Sequence, residues 1–105
     1  MKELTKTEEI IMLCIWNMKN DITLSTVMEA LENEPRAKDW KPQTISTYFR
    51  KLVEKKYLKM NRTGKLYTYK ALITKEKYRE LQIQFMLFYF FNNKKDLFID
   101  TVNNI

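Results

Sequence analysis

The chain has 105 residues, 45% of them hydrophobic and 30% charged, with a formal net charge of +6. That composition fits one globular domain, or a small domain with an appendage, and not a disordered chain. One cysteine, no histidine and one glycine exclude an internal disulfide, a structural zinc or thiolate copper cluster, a nucleophile–histidine pair and a glycine-rich phosphate loop.

No catalytic residue, metal or cofactor is therefore expected, and the chain reads as a non-enzyme. The N-terminus lacks a signal-peptide pattern. The longest apolar run, Phe85 to Phe91, is far too short to span a bilayer. A reducing cytoplasm is the expected setting. Charge is unevenly distributed: residues 1–34 hold three Lys and seven acids, residues 35–70 hold eleven Lys or Arg and two acids, and residues 71–105 hold five and four. The basic excess is focused on the middle third, which points to a polyanionic partner.

Thr5 and Glu8 have the T-x-x-E spacing of a capping box. A first helix is expected from about Lys6 to Met18, with Glu8 and Glu9 in its first turn and Ile11, Met12, Ile15 and Trp16 as a core stripe. Cys14 lies among these and reads as a small buried apolar residue, not a reactive thiol. After a polar link, Thr23 or Ser25 can cap a second helix of roughly a dozen residues that ends before Pro35. Val27, Met28 and Leu31 would face inward. Pro35 to Lys41 is a loop, and Trp40 is expected to pack the start of the next helix, with base stacking as the alternative role.

The run from Lys41 to Tyr57 dominates the chain. Pro42 suits the first position of a helix, and Ile45, Phe49, Leu52 and Val53 recur at helical spacing to make one apolar face. The opposite face carries Gln43, Thr44, Ser46, Thr47, Arg50 and Lys51, the types that hydrogen-bond base edges and phosphates. No acid interrupts it before Glu54. An ordinary solvated helix face would look the same in isolation, so the neighbouring residues decide. Two short strands follow, Leu58 and Met60 and then Leu66, Tyr67 and Tyr69, around an Asn61–Lys65 loop. Gly64 falls where the turn needs positive φ. Lys59, Arg62, Lys65 and Lys70 make this hairpin basic. Three helices and a basic hairpin make a winged helix-turn-helix, a mainly α fold with a small β wing.

Thr74 can cap a fourth helix. Tyr78, Leu81, Phe85 and Phe88 follow helical spacing, but Met86, Leu87, Tyr89, Phe90 and Phe91 make its end apolar all round. Asn92 to Lys95 breaks the run, and Leu97, Phe98, Ile99, Val102 and Ile105 form a short final helix. Exposed apolar area on this scale marks a dimer interface, expected to use Tyr78, Leu81, Phe85, Phe88, Phe91, Phe98 and Val102. The alternative is packing back on the chain's own first helix. Membrane-surface binding is disfavoured, because the run lacks a flanking basic amphipathic design. The expected division is 1–72 for a DNA-binding domain and 73–105 for a helical dimerisation segment.

The run KDWKPQTISTYFRKLVEKKYLKMNRTGKLYTYKAL closely resembles the BlaI/MecI/CopY family of penicillinase and methicillin-resistance repressors. The shared pattern is KDW-x-P-x-T-[IV]-x-T-x-x-x-[RK]-L-x-x-K, then a basic wing and a Y-x-Y strand. The opening LTKTEEIIMLCIW resembles the family's first helix, and the likeness covers about residues 3–75. It implies a homodimeric repressor on a palindromic double-stranded operator. Its base contacts would fall on Thr44, Ser46, Thr47 and Arg50, with Gln43 beside them and Lys41, Lys51, Arg62 and Lys65 near phosphates. Three departures stand out. Lys56 occupies a position where the family usually has Gly, so either it takes a left-handed conformation at about 1 kcal/mol or the helix ends differently. The cysteine cluster of the copper-responsive members is absent, so copper sensing is not expected. The C-terminal region is shorter, and the nearest match to the Asn-Phe bond cleaved by a sensor protease is Tyr89-Phe90, so the inducing partner is left open. A winged-helix protein–protein module without base readout is the alternative. A double-stranded RNA binder is disfavoured, because the deep RNA groove excludes a helix.

Overall fold

The structure, a computed structural model, describes residues 2–105. It divides into two compact units, one ending at Ile73 and the other spanning Thr74–Ile105.

The first unit opens with α1 (Lys6–Trp16). Its capping box is closed in both directions: Glu8 N–H donates to Thr5 Oγ1 at 3.2 Å and Thr5 N–H to Glu8 Oε1 at 2.7 Å. The helix stops at Trp16, two residues short of the expected Met18. Asn17 and Met18 N–H reach back to Cys14 and Ile15 carbonyls, three residues away, and such bonds tighten and close a last turn. Ile11, Met12 and Ile15 are buried. Cys14 is only half-buried, and burial, then the nearby Glu34 carboxylate, push its thiol above the ordinary range.

The second helix, α2 (Leu24–Ala30), has seven residues instead of a dozen. Thr23 caps it, exchanging hydrogen bonds with Thr26. The helix closes before Pro35 can act: Leu31 caps it, and Glu32 and Glu34 N–H donate to the Glu29 and Leu31 carbonyls, three residues back, the bonds of a tightened end. The residue before a proline is driven out of helical conformation, and Glu34 has φ −89° and ψ 111°. There Glu34 caps a short 3-10 turn, Pro35–Ala37, inside the stretch read as plain loop. Val27 and Leu31 are buried, while Met28 is half-buried.

Helix α3 (Pro42–Glu54) starts at the expected proline. Ile45, Phe49 and Leu52 are 2%, 1% and 0% exposed, so its apolar face is wholly enclosed; Val53 at the flank is half-buried. Its C-terminus is a Schellman motif, in which Lys56 N–H donates to the Val53 carbonyl and Tyr57 N–H to that of Leu52. Lys56 takes the left-handed position with φ 65°, so the helix ends as the family's glycine would end it. The buried Leu52 and Tyr57 supply the apolar contact typical of the motif.

Strands β1 (Leu58–Thr63) and β2 (Leu66–Ala71) pair antiparallel, Leu58 opposite Ala71 and Thr63 opposite Leu66. The connection is therefore two residues, Gly64 and Lys65, and not the longer loop from Asn61 read from the sequence. Gly64 has φ 63°, and glycine at the first turn position is what a two-residue type II′ hairpin favours. Short turns of this kind match the twist of their strands, which lets pairing run up to Thr63. The link between α1 and α2 adds a single bridge to this sheet, Tyr69 N–H donating to the Ile22 carbonyl at 2.9 Å.

One ion pair ties the first unit's distant parts together. Lys55 Nζ lies 2.6 Å from Glu8 Oε1 and also donates to the Glu3 carbonyl at 3.0 Å. Glu8 is 1% exposed, and its Oε2 has no partner among the described residues. Burial works against its charge, but the Lys55 ammonium and the two Thr5 hydrogen bonds outweigh that and hold the carboxyl below its usual range. Trp16 Nε1 donates to the Ile73 carbonyl at 2.9 Å, closing the unit behind the hairpin.

In the second unit, α4 (Lys75–Phe91) is capped by Thr74 and α5 (Lys95–Asn103) follows. Asn92 and Asn93 both have positive φ, a conformation asparagine tolerates, and they turn the chain between the helices. Phe91 and Phe98 meet edge to face at 5.3 Å.

The left-handed Lys56 generates a test. A lysine Cβ there is strained where glycine is not, and among the described residues no hydrogen bond of its side chain offsets the cost. Lys56→Gly should raise thermal stability by about 1 kcal/mol, or roughly 4–8 °C for a unit of this size. An unchanged or lower melting temperature by circular dichroism would contradict the strain argument.

Candidate nucleic-acid interface

With Ile45, Phe49 and Leu52 turned into the core, the rest of α3 must face outward. Gln43, Ser46, Thr47, Arg50 and Lys51 recur at i, i+3, i+4, i+7 and i+8 and so share one exposed stripe. Gln43, Ser46, Arg50 and Lys51 are exposed, as is Lys41 just before the helix; Thr44 and Thr47 are half-buried at the margins. Among the described residues, the side chains of Lys41, Gln43, Ser46 and Arg50 make no hydrogen bond or ion pair, so their full valence is available. Thr47 differs. Its hydroxyl donates to the Gln43 carbonyl at 3.0 Å, leaving only acceptor capacity and a methyl group for an incoming ligand.

Sequence reasoning missed Tyr48. It stands between Thr44 and Lys51 at i+4 and i+3 spacing, half-buried, with Lys51 Nζ 5.0 Å from its ring centroid. Trp40 lies on its other side, centroids 6.4 Å apart, in keeping with a packing role at the start of α3. The aromatic pair orients Lys51 and borders the polar stripe. The available signal was the spacing, since Tyr48 falls between the apolar face and the polar stripe and belongs clearly to neither.

The wing is fastened to α3 through its second strand: Phe49 and Tyr69 meet edge to face at 4.6 Å. Two predicted wing residues lie at its tip, both exposed. Lys65 is free of hydrogen bonds and ion pairs among the described residues. Arg62 is held: Nε donates to the Gly64 carbonyl at 2.9 Å and the guanidinium lies 5.2 Å from the Tyr67 centroid. A guanidinium has five donors, so four remain while the side chain stays preorganised.

The local charge is smaller than the sequence count implies. Two cations of the middle third pair with acids of the first third, Lys55 with Glu8 and Arg36 with Glu34, each at 2.6 Å. What remains unpaired is concentrated on the α3 stripe and the hairpin.

The predicted dimer residues are not equivalent. Phe85, Phe88 and Val102 are 46%, 57% and 52% exposed; Leu81, Phe91 and Phe98 are half-buried; Tyr78 is buried. Tyr89 and Phe90, outside the predicted set, are more exposed still. Phe85, Tyr89 and Phe88 form one ring cluster with centroid spacings of 4.6 and 4.8 Å.

An open groove of about 910 Å³ runs between α2, the start of α3 and the hairpin, floored by Leu24, Met28, Trp40 and Ile45. No ion pair joins the charged groups on its rim, and nothing there is arranged for acid–base work. Among the described residues no cluster of His, Cys, Asp and Glu could hold a metal, and no helix is long and apolar enough to cross a membrane.

Helix stripe and wing tip should behave differently toward DNA. Arg62→Ala or Lys65→Ala should weaken operator and random duplex about equally, each lowering the salt slope by roughly one. Arg50→Ala should cost about 1–3 kcal/mol on an operator and much less on random DNA. Titrations at fixed salt check this, and an operator-to-random ratio unmoved by Arg50→Ala would reduce Arg50 to a phosphate clamp.

Comparison with known proteins places this geometry. The family model for the penicillinase repressor matches residues 4–104. Among solved structures, the DNA-binding domain of the repressor BlaI superposes with a TM-score of 0.58 at 26% identity, covering 74% of this chain and 94% of that one. The Bacillus licheniformis BlaI monomeric form in complex with the blaP half-operator gives 0.58 at 25% identity, covering 73% and 89%. No curated protein matches the chain.

Proposed function

The chain belongs to the penicillinase repressor family, and from that membership and the geometry above we propose that it is a dimeric, DNA-binding transcriptional repressor. In this reading each subunit lays the exposed stripe of α3 in a major groove. Arg50 and Ser46 line the groove floor, with Gln43, Thr44 and Thr47 beside them. Lys41 and Lys51 flank the groove at the phosphates, and Arg62 and Lys65 reach the backbone from the wing tip. No chemistry is performed. The bound dimer occupies promoter DNA, and repression is steric.

The observation that carries the reading is the stripe of α3 from Gln43 to Lys51, free of acids and held outward by an enclosed apolar face. Amides, hydroxyls and a guanidinium with unused hydrogen-bonding capacity are the groups that discriminate base edges. A protein-binding module would need no such set. The relative from Bacillus licheniformis, a monomeric form on a half-operator, supports one reading unit per half-site.

Two units on one operator require an interface, and we assign it to α4 and α5. Phe85, Phe88, Phe90, Leu97, Ile99 and Val102 are all exposed, and apolar area of that extent is what a partner subunit covers. A two-fold dimer then demands a palindromic operator whose half-sites lie about 34–36 Å apart or at multiples of that.

Truncation tests the arrangement. Removing residues 76–105 should leave a monomer by light scattering, with palindrome affinity reduced to that for one half-site. A dimer of residues 1–75, or a full-length footprint confined to a single unrepeated half-site, would defeat it. Absence of any binding to random duplex at low salt would instead favour the protein–protein module.

A further inference from the structure

The hairpin register sets Lys59 directly opposite Lys70. Directly paired residues share a face of the sheet, with Cβ atoms about 4.5–5.5 Å apart, and like charges there are destabilising. Both lysines are exposed. On the hairpin their neighbours on that face are the pairs Asn61–Thr68 and Thr63–Leu66; across β2, Asp21 precedes the bridging Ile22 and so stands nearest Lys70, and among the described residues it makes no ion pair. The hairpin, residues 58–71, contains no acid at all. Among the described residues neither ammonium has a hydrogen bond or ion pair. The hairpin thus sets two cations opposite each other, with no ion pair to either among the described residues.

We propose that Lys59 and Lys70 form a two-ammonium clamp for a DNA phosphate, on the outward face of the wing and separate from its tip. The inference rests on the DNA-binding reading above and adds a contact that the α3 stripe and the tip do not supply. A phosphodiester between the two lysines converts their repulsion into two attractions. Along the strand, Lys59 is five residues from Gly64, about 17 Å at strand rise. One phosphate cannot satisfy both the clamp and the tip. The face also differs: Arg62 pairs with Tyr67 on the other side of the sheet, the side that carries the buried Leu58. Edge protection against strand addition accounts for a lysine on β1. It does not account for a second one facing it, because β2 is already bridged by Ile22 on its other side.

The proposal makes stability and binding move in opposite directions, which misfolding cannot imitate. Lys70→Glu replaces the repulsion with an ion pair across the hairpin, so the melting temperature should rise by about 2–6 °C. The same variant should bind random duplex about tenfold more weakly at moderate salt and flatten the salt slope by about one. Lys59→Glu should do likewise. The double variant K59E/K70E restores like charges, so its melting temperature should return toward wild type while binding falls further. A more stable Lys70→Glu with unchanged duplex affinity and slope would overturn the clamp. Loss on operator alone, with random duplex unaffected, would overturn it too, since a phosphate contact cannot distinguish sequence. A wild type that binds no duplex would remove the underlying reading, and the clamp with it.

Discussion

The burial of one face of α3 is the constraint on which the rest of the first unit depends. Ile45, Phe49 and Leu52 are almost completely enclosed, each stabilising by about 1.5–3 kcal/mol relative to exposure. Apolar contact is non-directional, however, and a helix held only by it could slide or rotate slightly. Directional contacts remove that freedom. Phe49 meets Tyr69 edge to face, which couples α3 to the wing. At the C-terminal end, Lys55 reaches the capping carboxylate of α1. Glu8 thereby has two functions at once, closing its own helix and anchoring another 47 residues away. Its second oxygen is buried without a partner among the described residues, so removing Lys55 would strand a buried charge at a cost of about 3–5 kcal/mol.

Charge on this chain does three separable things. Glu8–Lys55 is enclosed and structural. Glu34–Arg36 is exposed and worth little. The remaining cations on α3 and the hairpin face solvent and, among the described residues, make no ion pair. On the DNA-binding reading that third group supplies affinity that falls with salt, while the amides and hydroxyls of α3 supply discrimination that does not. Lys59 and Lys70 belong to it in the most pronounced form, since the fold brings them face to face.

Much of this was legible in the sequence, for physical reasons. The capping box, Pro42 at the head of α3, its apolar repeat and Gly64 are local signals, decided within a few residues. The family pattern around KDWKP agreed with them. What was hidden depended on distance. Nothing local shows that Lys55 is taken by Glu8, so the charge count overstated the free cations. Nothing local gives hairpin register, so the Lys59–Lys70 pair and the two-residue turn emerged only in three dimensions. The length of α2 was misjudged because a helical pattern ran on toward Pro35, while the chain leaves the helix at Leu31. Lys56 shows the converse: tertiary packing of Leu52 and Tyr57 imposes a left-handed residue against its own preference.

The central claim is that α3 reads base edges in a major groove from two subunits at once. Methylation interference tests it most directly, because dimethyl sulfate marks guanine N7 in the major groove and adenine N3 in the minor groove. With full-length protein on DNA selected from random sequence, the account predicts interference at guanine N7 in two clusters, about 34–36 Å apart or a multiple of it. Interference confined to adenine N3, or a single cluster without a symmetric mate, would contradict it.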